Sequence, residues 1–464
     1  MNKSLYILKR LIPKRLFKSL QPAYHYLMSW FSSVIYGRPS NKLIVIGVTG
    51  TTGKTTTTYL IAKTLEGLGY KVGYTSTAMF NDGKKEWLND KKMTMPGRFF
   101  TQAILAQMVK NECQYAIVET TSEGIRQFRH RFINYDSLVF TGLYPEHIES
   151  HGGFENYKKA KGQLFAHLKT CGTKYIDEQK RVKKTTTSLK KLDLKRVKKT
   201  LILNLDDEHI DYFASFWAEE KIGYTQKSSV VKKEIEEVNY GEIEINQNGV
   251  NFRIDKNKFS LKLLGGFNAV NAMNAVCVAK LAGHDLISTR EAIEKITGAP
   301  GRLERINEGQ DFTVIVDYAF EPNAVEKLFD TVDAMPRNKI IQVLGSAGGG
   351  RDIARRPIVG RIAGERADIV IVTNEDPYDE NPEIIIDQVI VGAEKGGKVL
   401  NKNLFKIIDR REAIKKALSL ATTGDVVLIT GKGSEQGICV ANGTILPWDD
   451  RAVVREELKT IINF

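Results

Sequence analysis

Cysteine is scarce: the 464 residues hold four, Cys113, Cys171, Cys277 and Cys439, widely separated and with no CxxC pair. That excludes a disulfide-dense scaffold and argues against a zinc ribbon or a redox dithiol, so a reducing cytosol is the natural compartment. Proline is thin at 12, and 38 glycines are too few for a collagen-like chain. A 42% apolar and 27% charged composition excludes a mostly disordered protein. Internal repeats are absent. A long apolar run is missing too: Ala23–Tyr36 spans 14 residues and contains His25, Ser29, Ser32 and Ser33, whereas a spanning helix needs about 20 apolar residues. What remains is an ordinary soluble chain, long enough for about three domains.

The net charge of +13 is local. Met1 to Lys42 carry eight Lys/Arg and no acid, and Lys180 to Lys199 carry ten Lys/Arg and one Asp, which leaves the rest of the chain at −4. A general nucleic-acid binder is therefore not expected. The N-terminus does not read as a signal peptide, because Pro13 and Pro22 interrupt it and no small-residue cleavage site follows. Two readings stand for it. One is a pair of short helices packed on the body. The other is a membrane-surface anchor, since Lys9, Arg10, Lys14, Arg15 and Lys18 flank apolar side chains. The basic insertion near 177–200 is too polar for a core and reads as a solvated loop or helix, with a polyanion dock as the lesser alternative.

The informative segment begins at Leu43–Ile46, a fully apolar run that reads as a buried parallel strand. It leads into GVTGTTGKTT (Gly47–Thr56) and then a helical pattern through Tyr59, Leu60, Ile61 and Leu65. Strand, Gly-rich turn and helix is the context a phosphate-binding loop requires. Gly50 and Gly53 let backbone N–H groups converge on phosphate oxygens, with Thr49, Thr51, Thr52 and Thr56 completing the loop. Lys54 neutralises the β- and γ-phosphates, and the Thr55 hydroxyl can bind Mg²⁺. Five residues separate Gly47 from Gly53, one more than in the common form.

The TGTTGKTT wording resembles the Mur ligases, ATP-dependent amide-bond ligases of peptidoglycan assembly with folylpolyglutamate synthetase relatives. Further matches follow in family order to the C-terminus. Glu119-Thr-Thr-Ser122 is similar to E-V-S-S. Phe140–His147 with His151-Gly152 resembles the second metal segment, and Asn156-Tyr157 with Ala160-Lys161 resembles N-Y-x-x-A-K. Asn204–Asp207 resembles N-x-D-D, and Gly266–Asn271 resembles G-x-F-N-x-x-N. Gly301-Arg302, Val316–Ala319 and Gly431–Glu435 resemble the G-R, V-D-Y-A and G-K-G-H-E elements. Among the branches, the tripeptide synthetases are the most similar.

The resemblance implies a set of roles. ATP would phosphorylate an acceptor carboxylate to an acyl phosphate, which the amine of an amino acid attacks. Lys54 and two Mg²⁺ ions would supply positive charge, with Thr55 and Glu119 on the first ion and His147 on the second. A strand-end acid and a structural histidine are the plainer readings of Glu119 and His147. Lys161 aligns with a lysine carbamylated by CO₂, an anion able to bridge to Mg²⁺; a solvated lysine is its plainer reading. Asn268 and Asn271 lie where the family contacts adenine, with helix-start capping as the alternative. Arg302 and Asp317 lie where the last domain meets the nucleotide.

Thr94, Pro96, Ser122, Gln127 and Arg129 match positions near the muramyl-peptide acceptor, and Asp376, Pro377 and Glu435 match positions near the incoming amino acid. Three family histidines are replaced, by Glu123, Phe320 and Ser434. Where a D-N-P-R-type motif reads the amino acid, the chain has Glu375-Asp376-Pro377-Tyr378. An Arg there clamps the distal carboxylate of diaminopimelate; Tyr378 cannot, which points to lysine or another amino acid without that carboxylate.

The expected fold is α/β. A basic helical segment (1–41) precedes a P-loop domain (42–297) with a mostly parallel sheet, and a Rossmann-like domain (298–464) follows. In the last, strands are expected near Val314–Val316, Ile340–Leu344, Ile369–Val372 and Val426–Thr430. Tripeptide synthetases carry a whole N-terminal domain for UDP, and about 41 residues before the P-loop strand are too few for one. Either another part of the chain binds the UDP moiety or the acceptor is a different one, such as a lipid-linked one; both are expectations. So are a monomer, a cytoplasmic location reaching the inner membrane surface, and peripheral membrane contact through residues 1–36. The competing functions are a Mur-type ligase on a polyglutamate or capsule-type acceptor, and a P-loop ATPase without ligation.

Overall fold

The computed structural model describes residues 14–145, 151–177, 182–184, 194–227, 234–350 and 353–462. His147 lies outside the described residues, as does much of the basic insertion.

The helices, in chain order, are α1 (Lys14–Ile35), α2 (Lys54–Gly67), α3 (Arg98–Lys110), α4 (Ser122–Arg126), α5 (Phe154–Leu168), α6 (Ile210–Ala214), α7 (Phe267–Leu281), α8 (Leu286–Ile293), α9 (Pro322–Asp333), α10 (Arg355–Arg366), α11 (Pro382–Lys395), α12 (Arg410–Leu420) and α13 (Asp450–Ile462). The strands of the first half are β1 (Ile44–Thr49), β2 (Val72–Thr75), β3 (Met79–Asn81), β4 (Glu86–Leu88), β5 (Tyr115–Glu119), β6 (Ser137–Phe140), β7 (Lys174–Ile176), β8 (Val182–Lys184), β9 (Lys195–Val197), β10 (Thr200–Asn204), β11 (Glu220–Thr225) and β12 (Glu236–Asn239). Those of the second half are β13 (Gly241–Asn246), β14 (Gly249–Ile254), β15 (Asn257–Leu261), β16 (Glu304–Ile306), β17 (Thr313–Asp317), β18 (Ile340–Leu344), β19 (Ile369–Val372), β20 (Leu404–Lys406), β21 (Val426–Thr430), β22 (Gly437–Val440) and β23 (Thr444–Pro447).

The first sheet has the order β12-β11-β10-β6-β1-β5-β2-β3-β4, parallel from β12 to β2 and antiparallel at the β3–β4 edge. Its central strands are apolar on both faces because both faces are covered. Leu60, Ile61 and Leu65 of α2 join α7 on one side. Leu105 and Met108 of α3 and Leu164 and Phe165 of α5 cover the other. The second sheet has the order β16-β17-β21-β18-β19-β20, antiparallel only between β16 and β17. Helices α9, α10 and α11 cover one face, and α12 and α13 the other. The four strands expected here form where the apolar runs place them, and the α/β class holds.

Two local expectations are refined. The N-terminal segment is one continuous helix from Lys14 to Ile35, running past Pro22; residues 1–13, on which the two-helix reading also rests, lie outside the described residues. The serines that interrupt its apolar pattern face the body: Ser29, Ser32 and Ser33 are buried, and each hydroxyl donates to a carbonyl one turn earlier, His25, Ser29 and Trp30 respectively. Their polar groups are thus satisfied within the helix.

The basic insertion includes two short strands where it is described, and Lys195, Arg196 and Lys198 on it are exposed, as a solvated segment requires. These strands, β8 and β9, flank β7 in a small antiparallel sheet. Its root is not solvated. Asp136, wholly buried, takes the Lys174 ammonium at 2.5 Å and the Lys199 ammonium at 2.8 Å, and accepts the Val45 N–H at 2.9 Å. Burial pulls the Lys174 ammonium down to about 8 against the opposing pull of Asp136. Both lysines also donate to carbonyls, Lys174 to Leu43 and Asn134 and Lys199 to Tyr135. The charges are kept because every donor is used, and the arrangement fixes the start of β1, which delivers the phosphate loop.

Candidate active site

Strand β1 is buried throughout and ends at Thr49. The chain then turns through Gly50–Gly53 into α2, with Gly53 at φ +76° capping the helix. A side chain there would be strained by the left-handed backbone and would collide with Asn271 Oδ1. Lys54 Nζ donates back to the Thr51 carbonyl. Asn271 Oδ1 accepts from Thr57 Oγ1 at 3.3 Å, Asn271 Nδ2 donates to Asn268 Oδ1 at 2.8 Å, and Asn268 Nδ2 donates to the Leu264 carbonyl at 2.6 Å. The two asparagines thus lie buried against the start of α2.

Glu119 ends β5, the neighbour of β1, at the carboxyl edge where such sheets bind ligands. Its carboxylate accepts from Thr55 Oγ1 (3.0 and 3.1 Å), the Thr77 N–H (2.7 Å) and Thr77 Oγ1 (2.9 Å), with 1% of the residue exposed. A buried carboxylate touching a hydroxyl at the phosphate loop is an all-oxygen donor pair, which suits Mg²⁺. Among the described residues no group of three or more His, Cys, Asp or Glu could hold a metal unaided. An ion held by one carboxylate and one hydroxyl would take its remaining ligands from nucleotide phosphates and water, the usual mode for Mg²⁺.

Lys161 lies on the inner face of α5 with Tyr157, Ala160, Leu164 and Phe165. Its residue is 1% exposed, and Nζ donates to the Gly50 carbonyl at 2.6 Å and stands 4.5 Å from the Tyr157 ring centroid. Tyr157 in turn donates to Thr51 Oγ1 at 3.3 Å. Of the basic trio, Lys158 pairs with Glu155 and Lys159 is exposed, so only Lys161 enters the site.

The acceptor-matching residues also converge. Thr94 Oγ1 lies 2.8 Å from Thr77 Oγ1, so it joins the network around Glu119. Arg129 donates to the Met95 carbonyl, beside Pro96, and to Gln127 Oε1 at 2.6 Å. Ser122 opens α4 and lies 3.1 Å from His151 Nε2; burial and then Arg126 push that histidine below its ordinary pKa. Glu123, in place of a histidine, points outward to Arg126 and Gln127.

From the second sheet, Arg302 stacks on Tyr318 (4.2 Å to the centroid) and reaches Thr55 Oγ1 at 3.4 Å. Asp317, at the end of β17, accepts from the Leu303 and Ala319 N–H groups, both at 2.7 Å. Burial raises its pKa, with Arg302 pulling the other way. Phe320, where a family histidine stands, lies against Tyr318 and under Arg355. Ser434 is buried behind Gly301.

Asp376 and Glu435 form an acidic cradle with two lysines that sequence reasoning did not select. Lys432 Nζ is 3.0 Å from Asp376 Oδ1 and 2.6 Å from Glu435 Oε2. Lys92, from the first sheet's side, is 2.7 Å from Asp376 Oδ1 and 3.3 Å from Glu435 Oε2. Burial raises the Asp376 pKa, but Lys432 and Lys92 outweigh it and hold the carboxyl below its usual range. The three-residue spacing of Lys432 and Glu435 was available as a signal; nothing in the Lys91-Lys92 pair distinguishes it from a solvated loop.

Residues 48–198 and 189–279 match the Mur ligase middle domain, and residues 301–433 match the Mur ligase glutamate ligase domain. The UDP-N-acetylmuramyl-tripeptide synthetase of Roseiflexus sp. (strain RS-1) is 36% identical over 435 residues, covering 92% of this chain and 81% of that one.

The chain belongs to the Mur ligase family.

It is accordingly an ATP-dependent enzyme that forms amide bonds. The UDP-N-acetylmuramoyl-L-alanyl-D-glutamate–2,6-diaminopimelate ligase of Geobacillus thermodenitrificans (strain NG80-2) is 33% identical over 438 residues, covering 93% of this Mur ligase and 82% of that chain. A solved structure of a ligase of that name superposes with TM-score 0.57 and 26% identity, covering 90% of this chain and 79% of its own. The Mycobacterium tuberculosis folylpolyglutamate synthase complexed with ADP shares the fold, with TM-score 0.62 and 16% identity, covering 96% of this chain and 95% of its own.

Proposed function

We propose that this Mur ligase joins an amino acid to a muramyl-peptide carboxylate in peptidoglycan precursor synthesis. The observation that carries the reading is the unbroken chain Thr55–Glu119–Thr77–Thr94, which links the phosphate loop to the acceptor-matching segment. One acceptor carboxylate oxygen attacks the γ-phosphorus of ATP and ADP leaves. The amine then attacks the acyl carbon, phosphate departs and the nitrogen loses a proton. The protein's task is to position both partners and offset the negative charge, for which Lys54 and Arg302 are at hand. Mg²⁺ would be held by Thr55 and Glu119 and would supply further positive charge, with His147 on a second ion. Lys161 would act as its carbamate. Asn268, Asn271 and Asp317 would address the nucleoside. Tyr378 in place of an arginine favours lysine over diaminopimelate. All these parts belong to one chain, consistent with a working monomer.

Phosphate release from ATP with Mg²⁺ and bicarbonate, offered UDP-N-acetylmuramoyl-L-alanyl-D-glutamate with lysine or diaminopimelate, tests the reading. Release is expected only with acceptor and amine together, and faster with lysine. Release without an amine would instead indicate an ATPase. Protein that binds ATP but ignores this acceptor would indicate a different one.

The reading extends to the inner membrane surface. Helix α1 turns its serines inward and leaves Leu20, Leu27, Trp30, Val34 and Ile35 exposed, the reverse of a helix adapted to water on its outer side. No acid occurs before residue 43, so an anionic bilayer is the complementary surface. No helix among the described residues is long and apolar enough to cross a membrane. Co-sedimentation with anionic vesicles is expected, weakened at least about tenfold by Leu27→Glu with Trp30→Glu. Equal pelleting of the double variant, or no pelleting at any salt, would sink the contact.

A further inference from the structure

The cradle in the second half of the chain is shaped for an ammonium group. An ammonium has three donors; Lys92 Nζ directs its bonds at Asp376 Oδ1 (2.7 Å), Asp376 Oδ2 (2.8 Å) and the Gly437 carbonyl (2.8 Å). Asp376 is held in place by the Cys439 N–H at 2.6 Å and by Lys432. Glu435 is held by Lys432 and by the Tyr318 hydroxyl at 3.2 Å. Lys92 alone among the two lysines and two carboxylates comes from the first half of the chain.

Charge and backbone geometry both bear on what Lys92 does there. With Lys92 in place, two ammoniums face two carboxylates and the cradle is neutral. With Lys92 withdrawn, Lys432 is left against Asp376 and Glu435, and the cradle carries a net negative charge ready for another cation. Lys92 holds its place with a left-handed backbone at φ +48°, and Tyr378, beside the cradle, does so at φ +53°. Left-handed backbone is disfavoured for both residue types, so the seated state is held by the ion pairs against local strain. Such a contact is suited to exchange.

We infer that Lys92 is a specificity-determining residue which occupies the side-chain ammonium position of the incoming amino acid, and that a basic amino acid must displace it to bind. The inference rests on the reading that Asp376 and Glu435 face that amino acid. A lysine substrate would exchange one ammonium for another, whereas an uncharged side chain would leave Lys92 seated. Lys92 thereby raises the threshold for cationic side chains and leaves neutral ones untouched. Because Thr94, two residues on, bonds Thr77 and so Glu119, the displaced loop is the one that carries the acceptor-matching Thr94 and Pro96.

The test is calorimetric titration of the full chain, in the presence of ADP and Mg²⁺, with L-lysine and with L-norleucine, the same side chain lacking its ammonium. Lys92→Met is expected to tighten lysine binding about tenfold relative to wild type and to leave norleucine within about twofold. Lys92→Arg should restore the wild-type ratio. Lys92→Gln serves if the methionine variant fails to fold. Unchanged or weaker lysine binding in both neutral variants would overturn the role of Lys92. Asp376→Asn separates that failure from failure of the underlying reading. It is expected to weaken lysine relative to norleucine, and an unchanged ratio, or no binding of either amino acid to wild type, would remove Asp376 from the subsite and the inference with it.

Discussion

Lys161→Ala is expected to lower turnover by at least about a thousandfold, the scale on which loss of a group acting directly on transition-state charge is felt. The residue is 1% exposed, and Nζ points at the Gly50 carbonyl within the phosphate loop. A solvated lysine would have no reason to be there, since burying an ammonium is costly unless something is gained. The Lys161 ammonium first loses a proton; the free amine then joins CO₂ through a new N–C bond and loses a second, so that a cation beside the loop becomes an anion. Lys161→Arg decides between the two charge states. Guanidinium keeps the positive charge but does not form a stable carbamate, so this variant should be as inactive as the alanine one. A merely electrostatic lysine would instead be rescued in part. Wild-type activity should fall in CO₂-free buffer and return with bicarbonate, and a small carboxylate such as formate should partly restore Lys161→Ala. Substantial activity of Lys161→Ala without any added carboxylate would rule the carbamate out.

The site was legible in the sequence where its chemistry is local. The phosphate loop is contiguous, and its strand and helix follow from the adjoining apolar pattern. Lys161 was legible in a second way, by helical phase: Tyr157, Ala160, Lys161, Leu164, Phe165 and Leu168 are all buried, the 3.6-residue spacing of one face. Glu119 could be placed because an acid directly after an apolar run ends a buried strand. The pairs that required the tertiary fold were illegible. Lys92 and Asp376 are 284 residues apart, and Lys92 sits in a loop whose composition reads as solvated. Lys199 closes a run of basic residues, and only the burial of Asp136 beside it makes it an interior residue. Helix α1 misled in another way. Its serines and its proline suggested interruption, but serine hydroxyls can bond within their own helix, so the apolar side chains could remain outside.

Glu119→Gln is the second large effect expected, a fall in kcat/KM for ATP of about a hundredfold or more with a higher Mg²⁺ requirement. Each oxygen of the native carboxylate accepts from Thr55 Oγ1 and from Thr77, Oε1 from its hydroxyl and Oε2 from its backbone N–H. Glutamine keeps the shape but puts an NH₂ in place of one oxygen. If that NH₂ takes the place of Oε2, it confronts the Thr77 backbone N–H donor to donor. If it takes the place of Oε1, the Thr77 hydroxyl can turn to accept from it, but the pair suited to Mg²⁺ still loses its charge and one oxygen. Either orientation therefore harms the site in a group that is 1% exposed, where solvent cannot compensate. A destabilising substitution alone would lower the fraction folded without altering the metal response. The measurement that separates the two is phosphate release against Mg²⁺ concentration, alongside a thermal melt. A Mg²⁺ midpoint raised at least about tenfold in folded Glu119→Gln protein, with partial recovery of rate at high Mg²⁺, is the expected result. A lower melting temperature with an unshifted Mg²⁺ midpoint would reduce Glu119 to a structural strand-end acid.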